Sequence, residues 1–125
     1  MTKSTMAVCT ATIASLFAAL ALATWSTASA APSKLAGTVG PGETIALTTA
    51  SGKRVSLVSR GTYAITVKDR SDEHNFYLSG PGVKKQITGV GFVGTKTVTV
   101  KLRAGKYTFV CNPHADDMRG GFSVR

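Results

Sequence analysis

Acidic side chains are scarce in this chain. Six Asp and Glu stand against 15 Lys and Arg in 125 residues, giving a net charge of +9. The sequence also holds only two His, two Cys and one Trp. With so few aromatics interleaved among its cations, it lacks the stacking platforms of a nucleic-acid binder, and that class is set aside. No His-rich or Met-rich arm is present, so a dedicated metal-scavenging tail is absent. Long apolar runs are equally rare. The longest, Thr10 to Ala23, falls short of the about 20 residues a permanent membrane helix needs, which excludes stable membrane insertion. After Ala31 no segment carries a helical apolar period, so a helical domain is excluded as well.

What is there begins with a leader. Lys3 supplies a positive start, Thr10 to Ala23 the apolar stretch, and Ala28-Ser29-Ala30 the small residues read by signal peptidase. Cys9 precedes the apolar run, whereas a lipidated Cys would follow it. The expected organisation is a signal peptide over residues 1–30 and one domain over residues 31–125, exported to the periplasm, the cell envelope or the medium. Cleavage removes Cys9 and Trp25. It leaves Cys111 as the sole thiol, unable to form an internal disulfide. Loss of Lys3 takes the basic count from 15 to 14 against 6 acids, leaving +8. The remaining cations are scattered. They read first as solvated surface and second as attraction to an acidic partner or an anionic envelope.

The domain reads as strands. Short runs rich in Val, Thr, Ile, Tyr and Phe cover Glu43 to Thr49, Thr62 to Val67, His74 to Leu78, Lys96 to Leu102, Lys106 to Cys111 and Gly121 to Val124. Turn signals separate them, among them Gly40-Pro41-Gly42, Ser79-Gly80-Pro81-Gly82 and Ala104-Gly105. This spacing predicts an all-β sandwich or barrel. Gly61-Thr62-Tyr63-Ala64-Ile65-Thr66-Val67 echoes Gly105-Lys106-Tyr107-Thr108-Phe109-Val110-Cys111. Both read as a turn feeding a strand with its first, third and fifth large residues on one face. Cys111 then points inward at the end of its strand.

The chemistry is concentrated in Cys111-Asn112-Pro113-His114-Ala115-Asp116-Asp117-Met118. A thiolate, an imidazole and a thioether fall within eight residues, and His74 lies 37 residues upstream. Two imidazoles, one thiolate and a weak thioether are the donor set of copper electron-transfer sites. Zinc prefers four strong ligands, so a thioether favours one copper ion cycling between Cu(I) and Cu(II). Singly, each residue has a plain reading: a surface His, an inert buried Cys, a Met filling the core. Jointly they use both histidines and the domain's only Cys. The predicted metal ligands are His74, Cys111, His114 and Met118.

Gly105-x-Tyr107-x-Phe109-x-Cys111-x-Pro113-His114, with Met118-Arg119-Gly120-Gly121-Phe122-Ser123-Val124 after it and His74-Asn75-Phe76 before it, resembles the plastocyanin and azurin family of cupredoxins over the whole domain. The resemblance implies a Greek-key β-sandwich of about eight strands, bound copper and outer-sphere electron transfer without substrate turnover. It also implies that Asn75 braces the ligand loop from behind the ligands. The chain departs from the family pattern in three places. Three residues, not four, separate His114 from Met118. Glu73 stands where Pro is common, and Asp116 and Asp117 flank His114 where an apolar face is usual.

Function then divides into a one-electron carrier, a copper storage or delivery protein using the same donors, and a metal-free structural sandwich. A Cys-His hydrolase would need a third group to orient its base, and none is evident, so no enzymatic activity is expected. A monomer that meets a redox partner protein is expected, and the positive surface favours an acidic one.

Overall fold

The computed structural model describes residues 25–125. The apolar run Thr10 to Ala23, and with it most of the expected signal peptide, lies outside these residues. Nine strands occupy the described part: β1 (Ser33–Val39), β2 (Ile45–Thr49), β3 (Leu57–Val58), β4 (Gly61–Asp69), β5 (Phe76–Gly80), β6 (Val83–Thr88), β7 (Gly94–Leu102), β8 (Gly105–Val110) and β9 (Arg119–Val124). A single 3-10 turn covers Asn112–His114. The all-β expectation is met.

The strands form two sheets, ordered β2-β1-β4-β7 and β3-β9-β8-β5-β6. Both are mixed, because β1 runs parallel to β4 and β3 parallel to β9, while the other pairings are antiparallel. Alternation supplies the core. On β4, Tyr63, Ile65 and Val67 are buried, and on β8 Tyr107 and Phe109 are, with Cys111 immediately beyond. Leu35, Leu47, Val100 and Leu102 join from the first sheet, and Phe76, Leu78, Ile87, Phe122 and Val124 from the second. Stacked rings span neighbouring strands: Phe76 on Phe109 at 5.5 Å and Tyr107 on Phe122 at 5.3 Å.

The echo between β4 and β8 is a structural equivalence. Each strand opens on a glycine with positive φ, 154° at Gly61 and 140° at Gly105, a region that side chains disfavour. Each tyrosine hydroxyl then reaches back to the preceding turn. Tyr63 donates to the Ser59 carbonyl at 2.7 Å, and Tyr107 accepts from the Arg103 N–H at 3.0 Å while donating to the Pro81 carbonyl at 2.8 Å. Other glycines are needed for close approach, among them Gly80, Gly120 and Gly37. A Cβ on Gly37 would lie 2.8 Å from Val67 Cγ2 and 3.1 Å from the Phe76 ring.

Strand register defines the end of the sandwich that matters. Val39 pairs with Asp69 and Asp69 with Gly94, so the loops 40–44, 70–75 and 89–93 leave the first sheet together. Tyr77 pairs with Val110 and Val110 with Arg119, bringing the loop 111–118 to the same end. Both histidines and the cysteine lie in these loops.

Candidate metal centre

Three consecutive buried residues, His74, Asn75 and Phe76, cannot all belong to one regular strand, where neighbours point to opposite faces. The strand expected to start at His74 therefore starts at Phe76. The Phe76 N–H donates to Thr88 Oγ1 at 3.0 Å instead of to a ladder carbonyl, and the register shifts at Phe76/Tyr77. The preceding loop is held by its own side chains. Asp69 Oδ1 accepts from the Ser71 N–H at 3.1 Å, and Ser71 Oγ from the Glu73 N–H at 3.2 Å. Such turns give Asp and Ser their loop preference. They deliver His74 to the interior with 4% of its surface exposed.

The second loop is closed across its base. The Cys111 N–H donates to the Met118 carbonyl at 2.9 Å, extending the β8–β9 ladder by one rung. Inside it, the His114 N–H reaches the Cys111 carbonyl at 3.1 Å, and the Met118 N–H reaches the His114 carbonyl at 2.8 Å. Pro113 fixes φ in the first turn and supplies no N–H to be satisfied. Cys111 and Met118 are fully buried, while His114 is partly exposed. A buried side chain also bonds one loop to the backbone of the other: the Asn112 N–H donates to Asn75 Oδ1 at 2.7 Å. Cys111 is a free thiol.

Three of the predicted ligands converge. His74 Nδ1 lies 3.6 Å from Cys111 Sγ, His114 Nδ1 lies 3.7 Å from the same sulfur, and the two nitrogens are 3.1 Å apart. The imidazole planes are steeply inclined, at 76°. In this triangle the point equidistant from all three atoms is about 2.0 Å from each. Imidazole nitrogens bind metals at about 2.0–2.1 Å and thiolates at about 2.3 Å, so the donors fit one ion with little movement. His74, Cys111 and His114 are positioned to hold one metal ion, and their softness and trigonal layout suit copper. Met118 sits at the base of the same loop, buried, and its backbone closes that loop. Sequence reading did not anticipate Asp69, Ser71 and Thr88 as the residues that set His74. Their Asx-turn and strand-capping side chains are common types, and only their position beside a ligand distinguishes them.

A family model described as copper binding proteins of the plastocyanin/azurin family matches residues 31–125. Among solved structures, auracyanin A, a "blue" copper protein from the green photosynthetic bacterium Chloroflexus aurantiacus, is similar at 19% identity. The match covers 76% of this chain and all of that one, with a TM-score of 0.54. Rusticyanin from Thiobacillus ferrooxidans is similar at 22% identity, covering 74% of this chain and 76% of that one, with a TM-score of 0.50. A rusticyanin variant superposes with a TM-score of 0.53 at 21% identity over the same shares. No curated protein sequence matches. At these identities the structures speak for a shared fold.

Proposed function

Because the chain belongs to the plastocyanin/azurin family of copper-binding proteins, we propose that it is an exported one-electron carrier whose copper is held by His74, Cys111, His114 and, more weakly, Met118. The observation that carries this reading is the triangle of Nδ1, Nδ1 and Sγ atoms, with edges of 3.1, 3.6 and 3.7 Å. Copper bound there would supply a centre that changes oxidation state by one electron.

The chain's own residues make such exchange inexpensive. A carrier is fast when its ligands need not rearrange, and the loops that carry the donors here are held by backbone and side-chain hydrogen bonds. The Asn75–Asn112 hydrogen bond locks the two ligand-bearing loops together, the kind of outer support that orients ligands. Burial of Cys111 keeps water from the thiolate. His114, alone of the three only partly buried, offers the path to a partner. Met118 is fully buried at the loop base, and in this reading its thioether tunes the potential without governing affinity.

Residues 1–30 would act as a cleaved signal peptide, placing the mature domain outside the cytoplasm as a monomer. Its net positive charge attracts an acidic redox partner to the molecule as a whole at long range, while Asp116 and Asp117 stand beside the His114 exit itself. Among the described residues no helix is long and apolar enough to cross a membrane. The test is to add Cu(II) to the purified protein and record the visible spectrum. An intense thiolate-to-copper band, absent in Cys111→Ser, is expected. Tight Cu(I) binding without that band would replace the carrier with a storage or delivery protein.

A further inference from the structure

The scarce acids are not distributed at random. Glu43, Asp69, Asp72, Glu73, Asp116 and Asp117 are all six acids of the sequence. Every one lies at or beside the loops 40–44, 70–75 and 111–118, at the metal-binding end. Between Glu73 and Asp116 the chain carries no acid, and besides Lys96, which pairs with Val67 toward the metal end, that stretch contributes Lys84, Lys85, Lys101, Arg103 and Lys106. Register places these five away from the metal. Val83 pairs with Gly80 and Leu102 with Gly61, and Gly105 opens the strand that ends before Cys111. Six strand steps of about 3.3 Å separate Gly105 from Cys111, or about 20 Å.

Four of these cations share one feature. β6 and β7 are the outer strands of their respective sheets, and together they line an open cleft of about 300 Å³. Lys84, Lys85, Lys101 and Arg103 form its walls, with Gly82 and Val100 beneath. The Arg103 guanidinium lies over Gly82, where a Cβ would meet its Cζ at 3.5 Å. Lysines on outer strands do block unwanted strand pairing. That role explains charges on each strand separately, but not four cations facing a common cleft on the half of the molecule that has no acid.

We propose that this basic pole binds the anionic phospholipid surface of a membrane peripherally, leaving the metal-binding end directed away from the bilayer. The breadth of the pole favours an extended anionic surface over a single small anion, since Lys34, Lys53, Arg60 and Arg125 also fall at the strand ends away from the metal. At the other pole the six acids outnumber Lys68, Arg70, Lys96 and Arg119, so the same surface attracts that end far less and charge orients the molecule as well as attracting it. This inference does not rest on copper being bound.

The test is co-sedimentation of the purified protein with vesicles of phosphatidylglycerol and phosphatidylcholine, against phosphatidylcholine alone. Binding is expected only to the anionic vesicles and should fall steeply with added salt, as exposed charges are screened. Each cation at such a surface is worth about fivefold in partition. The combined variant Lys84→Gln, Lys85→Gln, Lys101→Gln, Arg103→Gln should therefore lose two orders of magnitude or more. The control Lys68→Gln, Lys96→Gln should lose less than fivefold. In the unaltered protein, vesicles should shield Lys84, Lys85 and Lys101 from a water-soluble acylating reagent while Lys68 and Lys96 still react. That readout needs no variant to fold. Absence of binding, uniform acylation, or an equal loss per charge in the control would overturn the proposal. Displacement by inorganic phosphate but not by chloride at matched ionic strength would make the cleft a small-anion site instead.

Discussion

Replacing Asn75 with Ala removes the side chain that ties the His74 loop to the backbone of the Cys111 loop. Its Oδ1 accepts from the Asn112 N–H at 2.7 Å, and Asn75 is 1% exposed. Deleting a buried acceptor leaves its donor unpaired and costs about 1–3 kcal/mol. Because Asn112 itself is exposed, water can reach part of that N–H, which puts the cost in the lower half, about 1–2 kcal/mol. For a domain of this size each kcal/mol moves Tm by about 4–8 °C, so the metal-free variant should melt about 5–15 °C lower. Metal-free protein is the right sample, because a bound ion would add its own stabilisation by mass action. Hydrogen exchange separates a local effect from a general one. In Asn75→Ala the Asn112 amide should exchange freely, while the Cys111 amide, bonded to the Met118 carbonyl, keeps its protection. An unchanged Tm together with a still-protected Asn112 amide would refute the assigned brace.

Met118→Leu keeps volume and apolarity, so stability should change by less than about 1.5 kcal/mol, yet the reduction potential of the copper-loaded protein should shift. An identical potential by voltammetry would remove Met118 from the ligand set. Gly37→Ala forces a Cβ to within 2.8 Å of Val67 Cγ2. It should cost about 1–3 kcal/mol by overpacking, seen as a lower denaturant midpoint at constant m-value. Tyr107→Phe removes a hydroxyl that serves both the Pro81 carbonyl and the Arg103 N–H. A loss of about 1–2 kcal/mol is expected, and a midpoint unchanged from the parent protein would show that the turn holds without it.

The parts of the fold legible in the sequence are those whose signal is local. β4 and β8 alternate strictly, and Tyr63, Ile65, Val67, Tyr107 and Phe109 are buried as their period requires. Cys111 and His114 are three residues apart on a loop whose turn residues are explicit, so their meeting needed only a tight turn. β1 was not anticipated: its inward positions are Leu35, Gly37 and Val39, a weak apolar signal, and it becomes a strand through parallel pairing with β4, 30 residues on. β6 was missed for the opposite reason, since Lys84, Lys85 and Gln86 are all exposed on an outer strand. β3 is two residues long and exists through its pairing with β9. At the metal centre, donor chemistry named the residues. The hydrogen bonds from Asn112, Ser71 and Phe76 that aim them depend on chain segments brought together only by folding.

Strand order also decides which segment closes the second sheet. β9, the last strand in chain order, lies inside its sheet, between β3 and β8. Without Arg119–Val124 the second sheet would have a single gap between β3 and β8, and the thiol-bearing loop would be tethered at one side only. One strand therefore completes both the second sheet and the base of the ligand loop.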